Sequence, residues 1–219
     1  MLCLMDFLSI FPAFYMASVT KTMGMQKGGI DDEFLTWIGS IGSVANGLSR
    51  IIWGPIQDKT GFKAIYRVVL VIELLVCSLI TFIVQTNRYL YMVWVFMGYM
   101  CLGAHFVLTP NCILAIFGMR SSVQMSAMGY TTRCLSAISG MVVSKALVDA
   151  YGDASFNIMF FTSCGFIIIS GLLLTTVFDE SPIRKEDVQN DGYVKPNRNS
   201  EEIQLERTEK ARDEYTRIN

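Results

Sequence analysis

The stretch Gly54–Lys63, which reads G-P-I-Q-D-K-T-G-F-K, is a short charged turn between two long apolar segments. Its two glycines permit a tight chain reversal and a close approach of the helices on either side. Asp58 can pair with a cation or with the N-terminus of a helix. The basic residues Lys59, Lys63 and Arg67 predict that the turn lies on the cytoplasmic side of a membrane.

The composition is that of a membrane protein with a polar C-terminal segment. Hydrophobic residues make up 52% of the 219 residues and charged residues 17%, and about half of the charges follow residue 178. The preceding part is therefore too apolar for a soluble domain. The sequence has no basic cluster that would indicate nucleic-acid binding. The six cysteines form no C-x-x-C pair, so we predict neither a metal site nor a cofactor.

Six stretches are long and apolar enough to form membrane-spanning helices, each of which needs about twenty residues. The predicted spans are Met1–Thr20, Phe34–Ile56, Ile65–Gln85, Tyr89–Phe117, Val123–Ala150 and Ser155–Phe178. Helices are required because lipid offers the backbone no hydrogen-bonding partner. Small residues in the second and fifth spans favour close interhelical packing. The predicted fold class is an all-α membrane protein with six transmembrane helices in the lipid bilayer.

The chain is expected to divide into residues 1–178, a six-helix transmembrane bundle, and residues 179–219, a polar tail. The tail has no apolar face over its first half, which predicts disorder there. A marginal helix over Glu201–Tyr215 is compatible with the sequence. A solvated tail is favoured over a regulatory or partner-binding one.

The distribution of basic residues predicts the orientation. Lys59, Lys63 and Arg67 follow the second span, Arg120 follows the fourth, and Arg184-Lys185 follow the sixth. Basic residues accumulate in short cytoplasmic loops. The C-terminus is therefore expected in the cytoplasm. The connections at residues 21–33 and 151–153 are expected on the opposite side.

Two arginines lie within apolar spans, Arg50 in the second and Arg133 in the fifth. A charge there costs about 2.5–3.5 kcal/mol on insertion scales, so it usually faces a cavity or a partner. Arg50 lies one turn before Gly54, and snorkelling to the interface is its alternative. No equally buried acid is close to either arginine in sequence. We therefore predict that a substrate carboxylate is their partner.

Three further ionisable residues in the spans leave alternatives open. Glu73 can neutralise an arginine, relay a proton or pair with the basic cluster Lys59–Arg67, and structural pairing is favoured. Asp6 is open to similar alternatives. His105 is favoured as a packing residue, with proton coupling as the alternative. Glu73 and His105 are thus the candidates for proton coupling.

The segment Asn46–Gly61 resembles the eighth helix and following loop of oxalate–formate antiporter-like transporters, within the major facilitator superfamily. In that family this helix carries a cavity arginine at the position of Arg50. Downstream, Thr109-Pro110 and Ile116-Phe117-Gly118 are similar to the end of the family's tenth helix. An ungapped count from there places Arg133 at the family's second cavity cation, normally a lysine.

The resemblance covers residues 1–178 and implies the C-terminal six of twelve helices. It implies that Arg50 and Arg133 bind a carboxylate and that Phe106 and Tyr130 shape the cavity around it. Two differences from the family pattern argue against oxalate itself. Leucine occupies position 102, where a tryptophan is expected, and arginine replaces the lysine at 133. Another mono- or dicarboxylate is expected, and monocarboxylate transporters are the nearest alternative family.

The charged turn resembles the signature loop of the superfamily, and this resemblance implies a cytoplasmic latch that changes with conformation. The latch residues are Gly54, Asp58, Lys59, Gly61 and Lys63. Asp58 would stabilise one conformation. The alternative is an ordinary basic turn.

The predicted function is transport of a small organic anion by alternating access, without enzymatic activity. Because Met1 begins within an apolar span and a facilitator needs two six-helix bundles, we expect an N-terminal six-helix half or a second copy as partner. The chain would then be a fragment of a twelve-helix carrier or one of two associating halves. The alternative is a non-transporting half-transporter that acts as a membrane scaffold or complex subunit.

Overall fold

The computed structural model describes residues 2–178, which form six helices joined by short connections. The helices are α1 (Leu2–Gly28), α2 (Asp32–Thr60), α3 (Phe62–Thr86), α4 (Arg88–Gly118), α5 (Ser121–Tyr151) and α6 (Ala154–Thr176). Helices α4 and α5 belong to one helical run that is broken at Gly118, where φ is +69°. The predicted all-α fold with six helices is confirmed.

Several sequence predictions lie outside the described residues. They are the tail at 179–219, the basic pair Arg184-Lys185 and the side chain of Arg120. The division into bundle and tail therefore stays a prediction.

The connections between helices are shorter than predicted. The expected loop at residues 21–33 is helical except for Gly29–Asp31, and the expected turn Gly54–Lys63 is helical except for Gly61. Hydropathy marks where apolar side chains end, whereas a helix continues as long as its backbone hydrogen bonds are made. Gly61, with φ of +82°, reverses the chain in one residue and donates its N–H to the Gln57 carbonyl.

Side chains fix the start of two helices. The Asp31 carboxylate accepts a hydrogen bond from the Phe34 N–H at 3.0 Å at the start of α2. Asn87 accepts one from the Tyr89 N–H at 2.8 Å at the start of α4. Both are N-cap interactions, which satisfy backbone donors that a helix cannot pair itself. These caps fix the residues at which α2 and α4 begin.

Five helices, α1, α3, α4, α5 and α6, are long and apolar enough to cross a membrane. Helix α2 has 29 residues but carries more polar and small side chains, including Arg50. Large apolar side chains such as Ile51 and Val123, each 73% exposed, cover the outside. That surface is suited to lipid. Helix α2 is therefore the helix of the bundle that is least suited to being surrounded by lipid.

Polar contacts show which helix ends lie together. Lys63 Nζ at the start of α3 donates to the Phe178 carbonyl after α6 at 2.8 Å. Lys27 Nζ at the end of α1 donates to Asn157 Oδ1 near the start of α6 at 2.7 Å. The Gly61 reversal and the C-terminal end of α6 therefore share one end of the bundle, as predicted. Which end faces the cytoplasm stays a prediction.

Helices α2 and α4 approach each other closely at glycines. A Cβ at Gly103 of α4 would collide with the Ser49 hydroxyl and the Asn46 carbonyl of α2. A Cβ at Gly42 of α2 would lie 2.8 Å from the Tyr99 ring. The predicted close packing along the second span is thus confirmed at Gly42. This contact places Arg50, one residue after Ser49, beside α4.

Candidate functional site

The four residues predicted to bind substrate lie together on α2, α4 and α5. The guanidinium carbon of Arg50 lies 4.6 Å from the centroid of the Phe106 ring, and that of Arg133 lies 5.3 Å from the same centroid. Arg133 also lies 5.0 Å from the Tyr130 ring. These are cation–π distances, which favour a cation beside the ring face. Phe106 is therefore the shared neighbour of both predicted cations.

Arg133 is held by a protein carboxylate. Its side chain is 3% exposed, and its Nε donates to Asp6 Oδ2 at 2.8 Å. Its Nη2 donates to the His105 carbonyl at 2.9 Å and lies 3.4 Å from Asp6 Oδ1. Thr109 Oγ1 donates to Asp6 Oδ1 at 2.8 Å. Arg133 therefore has a buried acid as its partner in space although none is close to it in sequence, and the prediction that a substrate carboxylate supplies its counter-charge is wrong.

The reason for that error is the sequence distance between the partners. Asp6 and Arg133 are 127 positions apart and meet only because α1 packs against α5. A fully buried pair with good geometry keeps both charges compensated. The substrate is thus not the sole counter-charge of Arg133.

Arg50 has the opposite surroundings. Its side chain is exposed on α2, and no carboxylate among residues 2–178 lies within ion-pair distance of it. Its contact with Phe106 fixes the guanidinium beside the aromatic ring. The hydrogen-bonding edge of Arg50 is therefore available to an external acceptor.

A second buried network contains the predicted proton-coupling residues. His105 Nε2 lies 3.3 Å from Glu73 Oε2, and His105 Nδ1 lies 3.2 Å from the Tyr66 hydroxyl. The Tyr66 hydroxyl lies 2.6 Å from the hydroxyl of Ser9, and all four residues are buried. Glu73 therefore pairs with His105, not with the basic cluster Lys59–Arg67. Both ring nitrogens of His105 have polar neighbours, as expected of a buried packing histidine with satisfied hydrogen bonds, and proton coupling stays a prediction.

The charge of the Glu73–His105 pair depends on the direction of these hydrogen bonds. When the Ser9 hydroxyl donates to the Met5 carbonyl at 2.9 Å, it accepts from Tyr66. The Tyr66 oxygen then accepts from His105 Nδ1–H. A hydrogen bond between Nε2 and the Glu73 carboxyl group requires a second proton on one of these two atoms. The pair then carries no net charge, whichever partner holds the proton.

The two networks meet at His105. Its ring contacts Glu73 and Tyr66, while its carbonyl oxygen accepts from Arg133. The next residue, Phe106, contacts both arginines. One turn of α4 therefore joins the buried polar groups to the surface that carries Arg50.

The predicted latch residues have unequal surroundings. Gly54 is buried at the α2–α4 contact, and Asp58 and Lys59 are exposed in the last turn of α2. Lys63 donates to the Phe178 carbonyl at 2.8 Å and lies 3.5 Å from the Thr175 carbonyl. In the described part of the chain, Asp58 has no ion pair. Lys63 is thus the latch residue that reaches the end of another helix.

A cavity of about 440 Å³ lies beside Tyr130, between the second half of α4 and the first half of α5. Its lining includes Pro110, Asn111, Leu114, Ser126, Ala127 and Tyr130. The predicted role of Tyr130 in shaping a cavity stays a prediction, but the residue does border one.

Sequence reasoning did not assign Asp6, Thr109, Tyr66 and Ser9 to the site. An acid within an otherwise apolar span was the available signal for Asp6, since such residues usually have a partner. Tyr66 and Ser9 gave no signal, because hydroxyl side chains are tolerated in many membrane helices through bonds to their own backbone.

The helical fold of the chain agrees with the family that its sequence matches. The chain matches the family model described as Major Facilitator Superfamily over residues 1–208. No curated protein matches it significantly. The match spans nearly the whole sequence and includes every described helix. The chain is an integral multi-pass membrane protein that belongs to the major facilitator superfamily, a family of membrane transporters.

Proposed function

We propose that this chain is the C-terminal six-helix half of a carrier that moves a small mono- or dicarboxylate across the membrane by alternating access. The observation that carries the proposal is the placement of Arg50. It is exposed, has no carboxylate partner among the described residues, and contacts the same phenyl ring as Arg133.

The chemistry of Arg50 favours a carboxylate ligand. A guanidinium group presents two parallel N–H donors that match the two oxygens of a carboxylate. Phe106 lies against the guanidinium and leaves its edge for the ligand. Tyr130, whose ring lies 5.0 Å from the guanidinium carbon of Arg133, supplies an aromatic surface for the remainder of a small molecule. The site therefore suits a compact organic anion.

The exposure of Arg50 also argues for a second bundle. An uncompensated arginine facing lipid costs at least about 2.5–3.5 kcal/mol. In facilitators the substrate site lies near the midplane between two six-helix bundles. The N-terminal half of a longer carrier, or a second copy of this chain, would cover Arg50 and complete the cavity.

In this proposal the end of the bundle with Gly61 and Phe178 faces the cytoplasm. Lys63 connects the start of α3 to the end of α6 in the described conformation. Asp58 is exposed there and is available to the second bundle in another conformation. Together they would act as the latch.

Glu73 and His105 are the proposed proton site. The proton shared between them is buried, and Glu73 Oε1 has no hydrogen-bond partner among the described residues. The other ionisable groups around it are Asp6, Arg133, Tyr66, Cys77 and Cys101.

The proposal is tested by carboxylate binding to the full chain in lipid nanodiscs, read as thermal stabilisation. We expect small carboxylates to stabilise wild type and Arg50→Ala to lose this response. Arg67→Ala, which removes another exposed arginine from α3, is the matched control and should keep it. A wild type that responds to no carboxylate, or an Arg50→Ala variant with a full response, would contradict the proposal.

A further inference from the structure

We propose that Asp6 determines which anion charge the site accepts, so that a singly charged carboxylate binds in preference to a doubly charged one. This inference rests on the proposed function of the site at Arg50 and Arg133. It concerns a residue that would not contact the substrate and would act through Arg133.

The first step is the position of Asp6. Its side chain is fully buried, and both of its oxygens are engaged. Oδ2 accepts from Arg133 Nε at 2.8 Å, and Oδ1 accepts from Thr109 at 2.8 Å. A carboxylate that pairs with a guanidinium and accepts a further hydrogen bond has its negative charge compensated inside the bundle. Asp6 is therefore a built-in anion beside the proposed substrate site.

The second step concerns the hydrogen-bond donors of Arg133 that remain available to a ligand. Nε and Nη2 are used by Asp6 and by the His105 carbonyl. The remaining nitrogen, Nη1, has no hydrogen bond within residues 2–178. Arg133 can offer a ligand this nitrogen, but not a full two-pronged contact. Of the two arginines, Arg50 is then the one that can bind a carboxylate in a bidentate contact.

The third step is the charge of the site. Arg50 and Arg133 are positive and Asp6 is negative, which leaves one positive unit. The Glu73–His105 pair adds none when Tyr66 donates to Ser9 and accepts from His105, because the pair then shares one proton. One negative charge on a ligand is compensated, and a second would be unpaired in a region of low dielectric, where that is costly. A monocarboxylate therefore fits the charge of this site.

A charge series tests the inference. Butyrate and succinate have the same number of carbons and carry one and two negative charges at neutral pH. Their affinities would be measured by thermal stabilisation of the full chain in nanodiscs. The variants are Asp6→Asn, Arg133→Gln, the double Asp6→Asn/Arg133→Gln, and Asp6→Glu as the charge-conserving control.

Wild type and Asp6→Glu should favour butyrate. Asp6→Asn, which leaves two positive units, should shift the affinity ratio toward succinate by about tenfold or more. Arg133→Gln should weaken both anions, since Asp6 then cancels Arg50. The double variant should return the ratio to that of wild type, although both affinities fall. A purely structural role of Asp6 would weaken both anions together and leave the ratio unchanged.

A wild type that favours succinate, or an Asp6→Asn variant with an unchanged ratio, would overturn the inference and leave the proposed function intact. If Asp6→Asn does not fold, the wild-type preference for butyrate over succinate decides, because the inference requires it. A double variant that favours succinate would also overturn the inference. Binding of neither anion to wild type would instead refute the proposed function.

Discussion

The two arginines of the candidate site contact one phenyl ring but lie in opposite surroundings. Arg133 on α5 is buried and fixed by the Asp6 carboxylate and a backbone carbonyl. Arg50 on α2 is exposed and has no carboxylate partner among the described residues. The buried charge is compensated within the fold, and the exposed one is the charge to which we assign a ligand. Residue type and span depth alone do not separate these two roles.

The largest effect should come from removing the buried partner. Asp6→Ala leaves Arg133 uncompensated, which we expect to lower the free energy of unfolding by about 3–5 kcal/mol. Thermal denaturation in detergent would measure the loss. Arg50→Ala is the matched comparison and should change stability by no more than about 0.5 kcal/mol without ligand.

The double variant Asp6→Ala/Arg133→Leu sharpens this test. It removes both charges and should be more stable than Asp6→Ala alone. If Asp6→Ala and Arg50→Ala destabilise the bundle equally, the contrast between the two arginines is wrong.

For ligand affinity, unlike stability, we expect the larger effect from substitution of Arg50. Arg50→Ala should lose about 1.5–3 kcal/mol of carboxylate affinity, or roughly ten- to hundredfold, because a charge-assisted hydrogen bond is removed. Arg50→Lys should recover only part of it, since lysine keeps the charge but lacks the fork. Titration of the thermal shift gives both values. Full recovery by lysine would show that charge alone matters.

The packing that presents Arg50 gives a smaller effect. Gly103→Ala would force a methyl group against Ser49 and Asn46, and we expect a loss of about 1–3 kcal/mol in stability from overpacking. Gly47→Ala on α2 meets no atom within 4 Å and serves as the control. It should be neutral or stabilising by about 0.5–1 kcal/mol. Equal effects of the two variants would mean that α2 and α4 are not in close contact.

The smallest effect is expected at the latch, where the same contrast recurs between two lysines. Lys63 binds the carbonyls at the end of α6, whereas Lys59 is exposed in α2. A cation at a helix C-terminus contributes about 0.3–1 kcal/mol. Lys63→Met should therefore lower the melting temperature slightly and Lys59→Met should not. A larger effect at Lys59 would assign the latch contact to the wrong lysine.

The sequence was sufficient for those features that depend on local pattern. Apolar length predicted the six helices. The family resemblance implied that Arg50 and Arg133 belong to one site, and both contact the Phe106 ring. The sequence was insufficient where distant helices decide. The partnership of Asp6 with Arg133 depends on how α1 packs against α5, and the Tyr66–His105 contact depends on how α3 packs against α4. Helix ends were also misplaced, because polar residues at 21–28 and 57–60 continue the backbone hydrogen bonding of α1 and α2.

The close contact at Gly103 has a consequence for motion. Side chains on α2 also donate across to α4, from Trp53 Nε1 to the Met100 carbonyl and from Gln57 Nε2 to the Leu108 carbonyl. Because α2 and α4 approach so closely, one cannot slide past the other without breaking these contacts, and we expect the two helices to move together. Arg50 and Phe106 would then keep their mutual geometry during the conformational change of the proposed carrier. The rearrangement that opens the proposed site would have to occur outside this pair of helices.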